Sequence, residues 1–259
     1  MPVLSKISWA DLFTLANGAL GFVAITYIFS GNFIAATSLL LLSMIMDGLD
    51  GYMARRFGSK HSMGQVLDSI SDSISFAFAP AILVYAELRD KLNAAPSYSG
   101  WNLVLLACAV AILSCGLFRL ARFSVSGYQL DHFVGLPAPA AALVLLLVCL
   151  LFGAPSGSEP STYYFAVAEV PWLIVATGFA LSFLMASEIP YPKMRGWLAK
   201  ASGIGILLAI LPTAAGLVLV GDQSLYTASS RTATGIALAL ALAYMLGGPL
   251  YERRKGDGR

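Results

Sequence analysis

The chain has 259 residues, of which 58% are hydrophobic and only 12% are charged, and its formal net charge at pH 7 is +2. A soluble domain would be about 25% charged, so the composition excludes an ordinary soluble protein and predicts an integral membrane protein. A net charge of +2 is uninformative by itself, and no nucleic-acid partner is expected. The three cysteines lie in apolar runs without a Cys-x-x-Cys spacing, which indicates neither a zinc site nor a disulfide framework.

Apolar segments long enough to span a bilayer recur along the chain. The first predicted element is a short N-terminal interfacial helix over residues 5–16, in which Trp9, Leu12, Phe13 and Ala16 repeat at helical spacing opposite a polar side. A polar lead-in to the first span is the alternative interpretation. About 20 apolar residues cross the hydrocarbon core, and on that basis the sequence predicts about eight transmembrane helices. Their approximate bounds are 15–30, 33–55, 64–87, 101–122, 133–153, 171–187, 201–220 and 232–250.

The distribution of basic residues favours this set of spans. With an even number of spans, most of the 16 lysines and arginines fall on one side of the membrane. The exceptions are Arg89, Lys91 and Arg231. The positive-inside rule then places both termini at the cytoplasmic face. We therefore expect an all-α, polytopic helical bundle, multi-pass in the cell membrane and forming a single membrane domain over residues 1–259.

Four aspartates lie inside segments that otherwise have the composition of membrane helices, close to the predicted cytoplasmic face. They belong to two runs, and at about 100° per residue the members of each run fall on one face of a helix. Acids inside transmembrane segments are costly and usually mark a functional site. Converging carboxylates repel each other unless cations lie between them, and oxygen ligands suit Mg²⁺, Mn²⁺ or Ca²⁺. The runs are Asp47-x-x-Asp50-Gly51-x-x-Ala54-Arg55 and, eight residues later, Gly64-x-x-x-Asp68-x-x-x-Asp72.

Small residues share the helix faces that carry the acids. Gly51, Ala54 and Gly64 leave room for a bulky group against the helices, and Arg55 could pair with a phosphate. Carboxylate-held metals beside an arginine suit a diphosphate or a nucleotide, and the membrane position suits a substrate with lipid tails. A set of internal ion pairs is a weak alternative, because only Arg55 and Arg56 lie near the acids in sequence. A cation-coupled membrane transporter also uses intramembrane acids, but it would not need the small residues.

The complete spacing of both runs resembles the signature of the CDP-alcohol phosphatidyltransferases. Further segments resemble the phosphatidylserine synthase branch of that family, so that the similarity covers a catalytic core over about residues 10–195. Additional C-terminal helices over about 201–250 are supported only by the general topology. The segments are NGALGF (17–22), DSISDSISFAFAPAILVY (68–85), FRLARF (118–123), GLPAPAAA (135–142) and SEIPYPK (187–193).

The resemblance implies a reaction and a set of partners. A phosphatidyl or archaetidyl group would pass from a CDP-activated lipid, such as CDP-diacylglycerol, to L-serine in the bilayer, with release of CMP. Two divalent cations, Mg²⁺ or Mn²⁺, would be needed, and the protein would form a homodimer through its membrane helices. Glycerol phosphate, inositol phosphate or choline is the alternative acceptor within the same chemistry.

The resemblance also implies roles for individual residues. Asp47, Asp50 and Asp68 would hold one metal ion, and Asp47, Asp68 and Asp72 the other. Asp72 would in addition be the catalytic base that takes the proton of the acceptor hydroxyl. The CDP moiety would be contacted by Asn17, Gly51, Ala54, Arg55 and Gly64.

Arg119 and Arg122 end the fourth predicted span on its cytoplasmic side. Either arginine could bind the serine carboxylate or a substrate phosphate. The alternative is that both serve as positive-inside anchors of the span.

Overall fold

The computed structural model describes residues 8–57, 62–89, 100–127, 132–153, 170–192 and 223–257, and these residues are almost entirely helical. This confirms the all-α, polytopic class. Two π-helical segments, Ser73–Phe78 and Phe123–Gly127, extend α3 and α5, and two short strands, β1 (His132–Val134) and β2 (Pro190–Pro192), pair with each other. The α-helices are α1 (Trp9–Phe29), α2 (Phe33–Phe57), α3 (Ser62–Asp72), α4 (Ala79–Arg89), α5 (Gly100–Arg122), α6 (Ala138–Phe152), α7 (Pro171–Ala186) and α8 (Gln223–Asp257).

Most of the predicted spans correspond to helices of the structure. Five helical segments are long and apolar enough to cross a membrane, and the shorter apolar helices α6 and α7 match two further predicted spans. The predicted span 201–220 lies outside the described residues, so the count of about eight stays a prediction. The five long segments are Trp9–Phe29, Phe33–Ala54, Met63–Arg89, Gly100–Val125 and Arg231–Glu252.

The first helix begins earlier than its predicted span. The Ser8 amide donates to the Asp11 carboxylate over 2.7 Å, and the Asp11 amide donates to the Ser8 hydroxyl over 3.3 Å. This reciprocal cap starts α1 at Trp9, and the helix then runs without interruption to Phe29. The prediction of a separate interfacial helix over 5–16 is therefore wrong for residues 9–16, because no helix-breaking residue divides them from the span. Residues 5–7 lie outside the described part.

The helix α1 packs against the two helices that carry the acidic runs. Thr14, Asn17, Gly18 and Gly21 form one buried face at helical spacing. A Cβ atom at Gly21 would lie 2.5 Å from Oγ of Ser75, and one at Gly18 would lie 3.1 Å from Oγ of Ser71. The two glycines therefore let α1 approach close enough for its polar side chains to reach the acids.

The helix α6 lies at the centre of the described bundle. Residues 141–151 are buried without exception, as expected for a helix that is hydrophobic all round. The surrounding helices instead expose large apolar side chains on their outer faces, among them Phe22, Leu103 and Phe183. Such faces suit contact with lipid tails.

The strands β1 and β2 are a feature that the sequence analysis did not predict. They pair antiparallel, with Phe133 opposite Tyr191. The predicted fifth span began at residue 133, but α6 begins only at Ala138, because Gly135 turns the chain with a φ of +78° and Pro137 precedes the first helical turn. The strand pair consequently lies next to the end of α5, where Arg119 and Arg122 are found.

Candidate active site

Three of the four aspartates form a cluster between α2 and α3. Asp47, Asp50 and Asp68 each offer a carboxylate oxygen, and these oxygens all lie within 4.8 Å of one another. Asp50 is buried, and Asp47 and Asp68 are half-buried. Oδ1 of Asp68 is buried and has no hydrogen-bond partner among the described residues. Because a buried carboxylate oxygen is costly unless something binds it, this cluster fits a divalent cation.

Asp72 lies one turn after Asp68 on α3 and is also buried. One of its oxygens, Oδ1, accepts a hydrogen bond of 3.0 Å from the Asn17 side-chain amide. Its carboxylate lies close enough to those of Asp47, Asp68 and Asp50 for like-charge repulsion with each of them. The structure thus brings all four predicted aspartates together, with Asp72 beside the cluster of three.

The helix α1 supplies the polar groups that hold these acids. Asn17 binds Asp72 through its side chain, while its main-chain carbonyl accepts a 3.0 Å hydrogen bond from the Ser75 hydroxyl. The Thr14 hydroxyl lies 2.7 Å from Oδ2 of Asp50, closer than its 3.1 Å contact with the Ala10 carbonyl. Sequence reasoning missed Thr14, although its position three residues before Asn17 on the same face was an available signal.

The small residues predicted to contact CDP lie within one turn of the acids. Gly51 follows Asp47 by four residues on α2 and Gly64 precedes Asp68 by four on α3, so each shares a helix face with an acid. Ala54 has the same relation to Asp50, and all three small residues are half-buried. The side chain of Arg55 lies outside the described part of the structure.

Arg119 is a buried cation in an aromatic slot. The residue is only 4% exposed, and its guanidinium carbon lies 5.1 Å from the ring centroids of both Phe123 and Phe133. Within the described part of the chain, its Nε has no hydrogen-bond partner. The guanidinium interacts electrostatically with Asp72, which relates it to the acidic cluster. A desolvated cation with unused donor capacity fits an anionic group of a ligand.

Arg122 has different contacts although it belongs to the same helix end. Its Nη2 donates to the carbonyls of Met185 and Ser187, over 2.8 and 3.1 Å, and its guanidinium lies over the Phe118 ring. These carbonyls belong to the C-terminal end of α7. A cation that binds such carbonyls stabilises the helix end, so Arg122 ties α5 to α7.

Comparisons with known proteins show which family the chain resembles. The family model described as CDP-alcohol phosphatidyltransferase matches residues 7–184, which include both acidic runs and the two arginines. An archaetidylserine synthase of Methanothermobacter thermautotrophicus is 32% identical over 75% of this chain and 73% of its own length. CDP-diacylglycerol–serine O-phosphatidyltransferases of Helicobacter pylori and Methanocaldococcus jannaschii are 33% and 34% identical, over 75% and 72% of this chain and 76% and 75% of their own lengths.

Proposed function

The chain belongs to the CDP-alcohol phosphatidyltransferase family, and from that premise we propose that it transfers a phosphatidyl or archaetidyl group from a CDP-activated lipid to L-serine, with release of CMP. The observation that carries the proposal is the convergence of Asp47, Asp50, Asp68 and Asp72 at the α2–α3 junction. Serine as the acceptor is supported by relatives from bacteria and archaea whose names specify serine.

The acidic cluster is the proposed metal centre. Asp47, Asp50 and Asp68 would hold one Mg²⁺ or Mn²⁺, and Asp47, Asp68 and Asp72 the second. When bound, the cations supply positive charge that stabilises the diphosphate and the departing CMP.

Asp72 is the proposed acceptor of the serine hydroxyl proton. The serine oxygen forms a bond to the lipid-linked phosphorus, the bond from that phosphorus to CMP breaks, and the proton passes to the carboxylate. Asn17 donates a hydrogen bond to Oδ1 of Asp72, which fixes the orientation of the carboxylate. Since a carboxylate beside cations is a weak base, positioning and electrostatics would supply most of the rate enhancement.

The remaining contacts divide between the two substrates. Gly51, Ala54 and Gly64 would let the CDP moiety lie against α2 and α3, with Arg55 on a phosphate. Arg119 would bind the carboxylate of serine, because it is buried between aromatic rings, whereas Arg122 donates to main-chain carbonyls. Arg122 would serve the site through the position of α7.

The protein would be multi-pass in the cell membrane with this site facing the cytoplasm, as the excess of basic residues on that side supports. A homodimer, implied by the family resemblance, is part of the same proposal. Tail selectivity between diacyl and ether lipids would depend on the apolar outer faces of the bundle.

CMP release by the purified protein tests the reaction. CDP-diacylglycerol or its ether-linked counterpart is supplied with Mn²⁺ or Mg²⁺, and L-serine is compared with glycerol 3-phosphate, myo-inositol phosphate and choline. Serine-dependent release that a chelator abolishes is the expected result. CMP release with another acceptor but not with serine would refute serine as the substrate. No CMP release with any acceptor and either lipid would leave cation transport as the function to test.

A further inference from the structure

The C-terminal helix α8 contacts the arginine site although it lies beyond the family match. The Tyr244 hydroxyl on α8 donates a 3.0 Å hydrogen bond to the Pro192 carbonyl in β2. Its ring centroid lies 6.1 Å from that of Tyr191, the residue that pairs with Phe133 across the two strands. Phe133 in turn lies against the Arg119 guanidinium. A continuous line of contacts therefore runs from α8 through both strands to the buried arginine.

Close backbone packing holds α8 against β2 at this point. A Cβ atom at Gly248, one turn after Tyr244, would lie 3.0 Å from Cδ of Pro192 and 3.3 Å from Cδ1 of Tyr191. Gly248 is buried, whereas its neighbour Gly247 is exposed and has open space around it. The face of α8 that carries Tyr244 and Gly248 is thus the face that packs on the strand pair.

Two aromatic rings hold the guanidinium between them. Its carbon lies 5.1 Å from the ring centroids of both Phe123 and Phe133, and Phe133 belongs to the strand pair. A shift of the strand pair would therefore move one wall of the slot that holds Arg119.

We propose that Tyr244 is a positioning residue for the acceptor: it anchors the β1–β2 pair, which keeps the Phe133 ring on Arg119 and so fixes the guanidinium that binds the serine carboxylate. The inference rests on the proposed function and extends the acceptor site to a helix outside the matched region. It predicts that acceptor binding depends on the Tyr244 hydroxyl, because the ring alone cannot hold the Pro192 carbonyl. Binding of the CDP-lipid, which the α2–α3 junction provides, does not depend on it.

The test is steady-state CMP release by the full-length protein with CDP-diacylglycerol, or its ether-linked counterpart if that is the active lipid, and Mn²⁺. Tyr244→Phe removes one hydroxyl and is expected to raise the KM for L-serine by about three- to tenfold. The kcat and the KM for the CDP-lipid are expected to change less than about twofold. Tyr251→Phe is the matched control, because Tyr251 lies on the same helix and is 61% exposed, and it should leave all three constants unchanged.

A second pair of variants tests the packing independently of the hydroxyl. Gly248→Ala should displace α8 from β2 by a few tenths of an ångström and raise the serine KM as well, whereas Gly247→Ala should not. A readout without turnover is the rise in the thermal midpoint on addition of L-serine, which Tyr244→Phe should reduce.

Four outcomes would overturn the inference. If Tyr244→Phe leaves the protein active and changes neither the serine KM nor the stabilisation by serine, Tyr244 has no role in acceptor binding and only this inference fails. Equal rises in both KM values, or a lower thermal midpoint with unchanged kinetics, would make Tyr244 a purely structural residue. Absence of serine-dependent release from the unsubstituted protein would instead overturn the proposed function, and this inference with it.

Discussion

Replacement of Thr14 by valine should weaken metal binding at a site that Thr14 does not itself ligate. Thr14 is 3% exposed, and its hydroxyl lies 2.7 Å from Oδ2 of Asp50, one of the three clustered carboxylates. Valine keeps the shape of the side chain and removes this hydrogen bond. Loss of a hydrogen bond to a charged group costs about 1.5–3 kcal/mol, which corresponds to roughly 10- to 150-fold in affinity. Substitution of residues that hydrogen-bond to metal ligands typically lowers metal affinity or activity by about 10- to 100-fold.

The assay is CMP release at saturating substrates as a function of Mn²⁺ concentration. Thr14→Val should shift the half-saturating Mn²⁺ concentration upward by about 10- to 100-fold, and high Mn²⁺ should restore most of the rate. Thr14→Ser, which keeps the hydroxyl, should shift it much less. Thr26→Val on the same helix is the control, because the Thr26 hydroxyl donates to the Val23 carbonyl on the exposed side.

Metal binding is also measurable without turnover, as the rise in thermal midpoint that Mn²⁺ produces in the detergent-solubilised protein. Thr14→Val should need more Mn²⁺ for the same rise. An unchanged Mn²⁺ dependence in both measurements would refute the reasoning, since it would mean that the Thr14 hydroxyl does not hold Asp50 for a cation. A lower maximal rate at every Mn²⁺ concentration with normal metal affinity would also contradict it.

Four further substitutions test other parts of the structure. Asp68→Asn should lower turnover by on the order of 1,000-fold or more while the protein stays folded by size-exclusion chromatography, and substantial retained activity would exclude a metal centre at this carboxylate. Arg119→Ala should raise the serine KM by roughly 10- to 150-fold with a smaller effect on the CDP-lipid KM. Arg122→Ala should mainly lower the thermal midpoint. Identical kinetic effects of the two substitutions would contradict the assignment of serine binding to Arg119 and of a structural role to Arg122. Gly135→Ala should lower the thermal midpoint by on the order of 5 °C. The φ of Gly135 is +78°, and a Cβ atom there would lie 2.6 Å from both Nη2 of Arg122 and the Met185 carbonyl. A midpoint equal to that of the unsubstituted protein would show that the turn tolerates a side chain.

Local helix geometry explains why the acidic residues were predictable. Asp47 and Asp50 fall on one face of α2, and Asp68 and Asp72 on one face of α3, because their spacings match the helical repeat whatever the helices pack against. The cost of acids in apolar segments then predicts that the two faces meet around cations. Both steps need only the composition and spacing within single helices.

The contacts between distant segments were not predictable in the same way. The contact of Thr14 with Asp50 depends on how closely α1 approaches its neighbours at Gly18 and Gly21. The sequence around Thr14 does not indicate how close that approach is. The pairing of Phe133 with Tyr191 joins the segment after α5 to the segment after α7. Single-strand patterns three residues long carry too little periodicity to predict such a pair.

The two arginines of the FRLARF segment show how one helix end can serve two purposes. Three residues advance a helix by about 4.5 Å and rotate the side chain by about 300°, so Arg119 and Arg122 project from nearby faces at different depths. The deeper Arg119 reaches the slot between Phe123 and Phe133, while Arg122 reaches the carbonyl end of α7. Arg122 binds the Ser187 carbonyl, which lies just before β2, and so helps to place that strand. Strand β2 in turn pairs with β1, whose Phe133 ring lies on the Arg119 guanidinium. The Arg119 guanidinium is therefore positioned by Phe123 on its own helix and, through Phe133, by the strand pair. A fixed position of this kind is what the proposed binding of the serine carboxylate by a single guanidinium requires.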